Sequence, residues 1–255
     1  MKVKYSICTD AVFRGMDTVE AIEGIKAAGF LYYEFWRYIG KDLQAMKAKG
    51  DSLGVSCISC SGKAKPVNLN DPKDHAEWIE VLKGSIGAAK ILGNKQLVVV
   101  PGNDTGARRD FQYKAVVAAL KLAVPVLVEN NINLVLEPLN GRVDHAGTFL
   151  EYTDEAFAIL DEVNSSNIKL LFDIYHQQIT EGDVIRRMVS RIKQIGHVHT
   201  AGSTGRNELD IGELNYPKVI EAILEAGYDG YIGFEYFPAG DSLSGLKRMY
   251  EILPK

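Results

Sequence analysis

The chain contains 255 residues, of which 46% are hydrophobic, and its formal net charge at pH 7 is −4. It has no basic tract, and because clustered Lys and Arg dominate affinity for phosphate backbones, we expect no nucleic-acid partner. No uninterrupted apolar run approaches the ~20 residues that span a bilayer, and the start of the chain becomes polar too soon for a signal peptide. We therefore expect a cytoplasmic protein with no membrane partner.

Eight strand-like runs recur along the chain, separated by helical patterns with apolar residues at three- and four-residue spacing. The predicted strands cover residues 3–8, 31–36, 54–60, 96–100, 133–137, 168–173, 194–199 and 231–236. The predicted helices cover residues 17–28, 41–52, 72–92, 110–130, 148–163, 180–193, 216–226 and 241–253. This alternation predicts an α/β fold with a parallel sheet, and ~250 residues is typical of a single (β/α)8 TIM barrel. We predict one such domain over residues 1–255.

Local signals support these boundaries. Asp17 is the predicted N-cap of the first helix, and Asp71 followed by Pro72 opens the third, since proline suits the first helical position. The longest irregular segments, 61–71 and 200–215, follow the third and seventh strands. Loops in those positions build the sites of parallel barrels.

The three cysteines are a sparse, odd set and a poor disulfide framework. Cys57 and Cys60 form a Cys-x-x-Cys pattern, but they lie within a predicted strand. Residues three apart on a strand point to opposite faces, so this pair cannot easily close a disulfide or share a metal. We predict buried, core-filling thiols.

Four residues of metal-ligand type lie at the ends of four successive predicted strands. Glu137 and Glu235 end the fifth and eighth strands, while Asp173 and His199 end the sixth and seventh. The carboxyl ends of strands in a parallel barrel face one mouth, so these four side chains are expected to converge there.

The chemistry of this set favours a divalent cation held by Glu137, Asp173, His199 and Glu235. Oxygen ligands suit Mg²⁺ or Mn²⁺, and one imidazole shifts the preference toward Mn²⁺ or Co²⁺. No thiolate is near, so a structural zinc site is not expected, while zinc as a catalytic ion stays open. A metal that chelates a carbonyl and the adjacent hydroxyl acidifies the intervening C–H, and Glu137 and Glu235 are the predicted acid and base that move the proton. This is isomerisation of a small α-hydroxy carbonyl compound through an enediolate.

The remaining histidines near the mouth have different predicted roles. His176 follows its strand directly, so we expect it to contact substrate. His197 lies on the same face as His199, because two residues is the strand period, but one layer deeper, which favours a barrel-interior histidine. His145 lies in the loop after Glu137 and has weaker support as a mouth residue.

Three more residues are candidate substrate contacts. Arg206, in the glycine-rich loop after the seventh strand, offers a planar fork for a carboxylate or phosphate. Glu34 and Trp36 close the second strand, and an aromatic beside an acid there suits a wall for a polar carbon chain.

At these residues the chain resembles the xylose-isomerase-like TIM-barrel superfamily, and within it the hydroxypyruvate isomerase family most closely. The resemblance is densest in the second half, in the motifs Leu136–Asn140, Phe172–Gln178, Gly205–Glu208, Gly212–Tyr216 and Gly230–Tyr236. It implies conversion of hydroxypyruvate to tartronate semialdehyde, or of a related 2-oxo acid or ketose. It also implies Glu137 and Glu235 as the acid/base pair, and His176 and Arg206 as substrate contacts.

The chain departs from that family's pattern at positions that bear on the substrate. Hydroxypyruvate isomerases usually carry glutamine at the position of His199, and histidine there is similar to ketose 3-epimerases and inosose dehydratases of the same superfamily. The loops 9–14 and 61–65 match poorly. A ketose 3-epimerase, a keto-sugar dehydratase or lyase, and a non-catalytic partner subunit therefore remain alternatives. Many barrels pair through their outer helices, so a homo-oligomer also stays open.

Overall fold

Eight parallel strands form a closed barrel in the computed structural model, which describes residues 3–255. Each strand pairs with its neighbours in chain order, and β8 pairs with β1. The strands are β1 (Lys4–Cys8), β2 (Tyr32–Phe35), β3 (Ser56–Ser61), β4 (Gln96–Val99), β5 (Asn133–Leu136), β6 (Ile168–Asp173), β7 (Ile195–Thr200) and β8 (Tyr231–Phe234). The predicted α/β fold class, a (β/α)8 TIM barrel, is confirmed.

Helices surround this barrel and connect its strands. They are α1 (Thr9–Val12), α2 (Thr18–Ala27), α3 (Leu43–Leu53), α4 (His75–Leu92), α5 (Arg109–Asn130), α6 (Thr153–Val163), α7 (Ile174–Thr180), α8 (Val184–Ser190), α9 (Tyr216–Glu225) and α10 (Ser242–Ile252). Asp17 caps α2 through the backbone amide of Val19, as predicted. The segment expected to open the third helix is a separate 3₁₀ turn, Pro72–Asp74, before α4.

Aromatic packing joins the first and last strands. Tyr5 of β1, Phe234 of β8 and Phe30, which precedes β2, have ring centroids 5.3 to 6.3 Å apart. Tyr250 of α10 contacts Phe30 edge to face at 5.4 Å. Such pairs contribute about 0.5–1.5 kcal/mol each beyond the area they bury. They help close the barrel, which brings the ends of β8 and β2 to the same mouth.

The region after β6 differs from the predicted pattern. The helix expected over 180–193 is shorter, because it consists of α8 and a 3₁₀ turn at Ile192–Gln194, and an additional helix, α7, precedes it. Asp173 starts α7 directly at the strand end, because its carboxylate accepts hydrogen bonds from two backbone amides of the first turn. Gly182 and Asp183 then both adopt positive φ, 66° and 52°, which separates the two helices.

The helix expected over 148–163 begins only at Thr153. The backbone amide of Leu139 donates to the Leu150 carbonyl at 3.0 Å, and Thr148 forms an isolated bridge with Asn103. These contacts keep the preceding chain extended, and the result is a long irregular loop after β5 that the sequence does not predict. Part of the mouth is built from this loop.

Cys8, Cys57 and Cys60 are buried and free, as predicted. Burial raises the pKa of the Cys60 thiol to about 12, which removes the thiolate needed for redox or metal chemistry at neutral pH.

Helix α5 is long and apolar enough to cross a membrane by length and composition. Lys121 interrupts its apolar residues, so α5 holds no uninterrupted apolar run of that length although its average hydropathy is high. In the barrel, 44% of its most apolar window is buried, and α5 packs against both α4 and α6. A core helix of a soluble domain has the same properties, so this is weak support for a membrane span.

Candidate metal and active site

The four predicted metal ligands lie together at the carboxyl end of the barrel. Glu137 follows β5, Asp173 ends β6, His199 lies in β7 and Glu235 follows β8. The register pairs Asp173 with His199 across β6 and β7. Each of the four is between 1% and 7% exposed. The two glutamates and His199 line a cavity of about 480 Å³, together with Trp36, Arg37, Lys63, His145, His176 and Arg206.

His199 presents a free ring nitrogen to both glutamates. Its Nε2 lies 3.1 Å from Oε2 of Glu34, and among residues 3–255 its buried Nδ1 has no hydrogen-bond partner. That Nδ1 lies 3.8 Å from Oε1 of Glu137 and 3.8 Å from Oε2 of Glu235. Burial opposes charge on the ring, but the carboxylates of Glu34 and Glu235 outweigh it and raise the pKa of His199 to about 10. The site therefore attracts positive charge at this nitrogen, either a proton or a cation.

Glu34 lies beneath His199 and orients it. Oε2 of Glu34 also accepts from Nε2 of His197 at 2.9 Å, and the Ser6 hydroxyl donates to Oε1 at 2.7 Å. Burial alone would raise the pKa of Glu34, yet His197 and His199 hold it well below its usual range. A carboxylate behind a histidine fixes its tautomer for metal ligation. Glu34 accepts from three donors in this position and also lines the cavity, so its predicted substrate contact stays a prediction. His197 is fully buried, as predicted.

Asp173 directs one oxygen toward the site. Oδ1 accepts from the backbone amides of Tyr175 at 2.8 Å and His176 at 3.2 Å, which caps α7. Oδ2 lies 3.6 Å from Nε2 of His176. The capping contacts therefore fix the carboxylate and leave Oδ2 to face the mouth.

His176 is held as a hydrogen-bond donor. Oδ1 of Asn140 accepts from the backbone amides of Val143 and Asp144 at 2.9 and 3.1 Å, so its side-chain nitrogen faces Nδ1 of His176 at 2.6 Å. The ring therefore accepts at Nδ1 and carries its proton on Nε2. Burial and the charge of Arg206 hold the pKa of His176 well below its usual range. The buried Nε2 has no hydrogen-bond partner in the described part of the chain and can donate to a substrate oxygen.

Arg206 and Trp36 both contact Glu235. The guanidinium of Arg206 forms an ion pair with Oε2 of Glu235 and lies over the rings of Tyr175 and Phe237, at 5.3 and 5.6 Å from the centroids. The indole Nε1 of Trp36 donates to Oε1 at 2.7 Å. Both residues line the cavity as expected, and both hold the Glu235 carboxylate in position.

A divalent cation fits this set of donors. Burial and the charge of Glu235 raise the pKa of Glu137 well above its usual range, which reports negative charge that the site leaves uncompensated. Ligand atoms of Glu137, Asp173, His176 and Glu235 lie within 4.8 Å of one another. Because His176 carries its proton on the nitrogen that faces the group, the free Nδ1 of His199 is the better nitrogen ligand. The structure therefore brings three acids and an imidazole together, and the set Glu137, Asp173, His199 and Glu235 stays a prediction.

Two residues that shape this site are missing from the sequence-based candidates. Asn140, which fixes the His176 tautomer, lies inside the motif Leu136–Asn140, but only the loop structure reveals its contact. Gly233 lies beside Glu34 and His199, and a Cβ there would be 2.2 Å from Oε1 of Glu34. A glycine in a strand signals close approach of a neighbour, and that signal was available in the sequence.

The sequence model of the xylose isomerase-like TIM barrel family matches residues 15–252. The chain belongs to this family. Against curated proteins, it is 38% identical over 172 residues to the 2-oxo-tetronate isomerase of Cupriavidus necator, covering 64% of this chain and 65% of that protein. It is 32% identical over 197 residues to the hydroxypyruvate isomerase of Escherichia coli, covering 77% of this chain and 71% of that protein. The resemblance to hydroxypyruvate isomerases is confirmed, and these names support the isomerase class.

A solved structure titled as an AP endonuclease of family 2 from Brucella melitensis superposes with a TM-score of 0.88. It covers 100% of both chains at 23% identity. At that identity the likeness shows the fold alone.

Proposed function

We propose that the protein is a metal-dependent isomerase of a small α-hydroxy carbonyl compound, with hydroxypyruvate and related 2-oxo acids as the first candidates. The observation that carries this proposal is the placement of two buried glutamates, Glu137 and Glu235, each 3.8 Å from the free Nδ1 of His199. Two carboxylates on either side of one ligand position suit proton removal and return. The named relatives support the same reaction class.

Glu137, Asp173, His199 and Glu235 would hold the cation, and a bound divalent ion would polarise the carbonyl and acidify the adjacent C–H. Mg²⁺, Mn²⁺ and Co²⁺ suit this mixture of oxygen and imidazole ligands, and Zn²⁺ is a fourth candidate. Glu34 behind His199 and the amides behind Asp173 fix two of the ligands before any ion binds.

The two glutamates have different surroundings. Burial and the charge of Glu235 raise the pKa of Glu137 well above its usual range. Glu235 is fixed by Arg206 and Trp36. In the proposed reaction one glutamate removes a proton from the hydroxymethyl carbon, which leaves an enediolate, and the other delivers a proton to the former carbonyl carbon. The hydroxyl proton passes from the former hydroxymethyl oxygen to the former carbonyl oxygen, so that an aldehyde and a new hydroxyl group result. Nε2–H of His176 donates to a substrate oxygen and stabilises its developing negative charge.

Product identification tests this proposal against the epimerase and lyase alternatives. The protein would be incubated with Co²⁺ and, in turn, hydroxypyruvate, 2-oxo-tetronate and a panel of ketoses, and the products followed by proton NMR. We expect an aldehyde isomer from a 2-oxo acid. An inverted ketose centre without aldehyde would identify a 3-epimerase, and loss of water would identify a dehydratase; either result would overturn the proposal.

A further inference from the structure

Two cations face the cavity from the side opposite the β5–β8 ligands. Arg37 follows β2 and Lys63 follows β3, and both line the same cavity as Glu137 and Glu235. Lys63 is half-buried, while Arg37 is exposed. Their positions on two adjacent loops place a pair of positive charges beside one another at this wall.

These two cations lack an acidic partner. Within residues 3–255, neither side chain has a carboxylate oxygen within the 4.0 Å limit of an ion pair. The Asp74 carboxylate raises the pKa of Lys63 less than burial and Arg37 lower it, and its Oδ2 already accepts from the backbone amide of Asn68 at 2.9 Å. Burial, then the charge of Arg37, lower the pKa of Lys63 to about 8. Like charges held together without a counter-ion favour an incoming anion.

Arg206, the third cation of the mouth, differs from Lys63 and Arg37 because it has acidic partners. It is paired with Glu235 and lies 3.9 Å from Asp144. The positive charge of Arg206 is therefore compensated by carboxylates of the protein. The uncompensated positive charge of the cavity lies at Lys63 and Arg37. The predicted substrate contact of Arg206 stays a prediction, since Arg206 lines the cavity while its charge is paired with these acids.

Lys63 also borders a second, adjoining cavity. This cavity, of about 590 Å³, shares Lys63, Asp144 and His145 with the first and continues between the loops after β3, β4 and β5. An acid with a chain longer than three carbons has room to extend there while its reacting carbons stay beside the glutamates.

We propose that Lys63, supported by Arg37, forms a carboxylate subsite that selects a 2-oxo acid over a neutral ketose. This inference rests on the proposed function for the reaction itself and adds the substrate class and the residues that recognise it. A charge-assisted hydrogen bond from lysine to carboxylate, strengthened by the partly desolvated wall, gives the selectivity. Lys63 is here a specificity-determining residue, and it takes no part in the proton transfer.

The test compares an acid with its neutral counterpart. Hydroxypyruvate and dihydroxyacetone share three carbons and a hydroxymethyl ketone, and differ in a carboxylate against a second hydroxymethyl group. Initial rates would be measured with the Co²⁺-loaded protein, its Lys63→Met variant and the matched control Lys65→Met, an exposed lysine two residues away. Hydroxypyruvate binding would be measured separately by calorimetry.

We expect Lys63→Met to raise KM and the dissociation constant for hydroxypyruvate about 10- to 100-fold, the range of a charged hydrogen bond. We expect kcat/KM for dihydroxyacetone to change less than twofold, and Lys65→Met to match wild type on both compounds. Equal losses on both compounds, or no loss on hydroxypyruvate, would overturn the subsite. If wild type binds hydroxypyruvate without turnover, the proposed function fails, while the binding comparison still decides the subsite.

The pH dependence of hydroxypyruvate binding distinguishes an effect of the Lys63 charge from a structural effect of the substitution. Lysine with a pKa near 8 is charged below that pH, so affinity for the acid should fall as pH rises through about 8. Lys63→Arg should keep that affinity to higher pH, because a guanidinium stays charged. The charged and titratable groups facing this position are Arg37, Asp74, Asp144 and His145. Identical profiles for wild type and Lys63→Arg would contradict a role for the lysine charge.

Discussion

One carboxylate, Glu34, connects the interior of the barrel to its mouth. It accepts hydrogen bonds from Ser6, His197 and His199, so the nitrogen that faces the two glutamates is determined by a residue on the far side of the ring. A hydrogen-bond partner behind a metal ligand orients that ligand and strengthens metal binding. Glu34 is therefore the position at which the proposed cation site can be tested without touching a ligand.

We expect Glu34→Gln to weaken Co²⁺ binding roughly 10- to 100-fold, the usual effect of losing such a partner. The amide can still accept one hydrogen bond but no longer supplies charge behind His199. Calorimetric titration of the metal-stripped protein measures the change, with Glu77→Gln, an exposed glutamate on α4, as the control. Unchanged affinity in Glu34→Gln would mean that His199 is not a ligand.

The eighth strand brings the backbone close to this network. Gly233 pairs with His199 across β7 and β8. A Cβ at Gly233 would lie 2.2 Å from Oε1 of Glu34 and 2.8 Å from Cδ2 of His199, so either side chain would have to move. The absence of a side chain at position 233 of this strand therefore leaves room for Glu34 and His199.

Gly233→Ala is expected to lower the free energy of unfolding by about 1–3 kcal/mol, as overpacking in a tight core does. The same substitution should also weaken Co²⁺ binding, because Glu34 and His199 are displaced. Urea unfolding and metal titration measure the two effects. Gly240→Ala is the matched control, since a Cβ there meets no atom within 4 Å. Equal behaviour of the two variants would contradict the packing described.

Strand ends were predictable because each is a short apolar run closed by a polar residue. Glu137, Asp173 and Glu235 were found this way, and the barrel then required them to meet. The sequence pattern at a strand end does not predict the contacts that loop residues make. The Asn140 amide on His176 depends on the irregular loop after β5, whose path is set by long-range backbone hydrogen bonds. For the end of this loop the sequence pattern predicted a helix from residue 148, whereas the helix begins at Thr153.

Across the whole molecule, charge is distributed unevenly around the mouth. The acids Glu137, Asp173 and Glu235 lie at β5, β6 and β8, and the uncompensated cations Arg37 and Lys63 lie after β2 and β3. A metal near the acids and a carboxylate near the cations would neutralise both sides. The roles of these residues and the extent of one domain over 1–255 stay predictions, whereas the closed barrel that arranges them is observed.

Metal binding should stabilise the whole fold, because a ligand that binds only the native state adds RT ln(1 + [L]/Kd). At a Co²⁺ concentration 100 times Kd this is about 2.7 kcal/mol, or a rise in Tm of roughly 5–10 °C for a chain of this size. Calorimetric scans with Co²⁺ and with EDTA measure the rise. Glu137→Gln should lose most of it. A rise of the same size in Glu137→Gln would place the ion elsewhere.

Solvent-deuterium exchange tests the central claim most directly. Hydroxypyruvate would be incubated in D₂O with wild type, Glu137→Gln and Glu235→Gln, each metal-stripped and then supplied with Co²⁺, and the quenched, metal-free samples examined by proton NMR. We predict metal-dependent deuterium uptake at the hydroxymethyl carbon with wild type, about 100-fold or more faster than with the variant that lacks the glutamate which removes this proton, as expected for loss of a general base. Exchange that persists in both variants, or that needs no metal, would contradict the account.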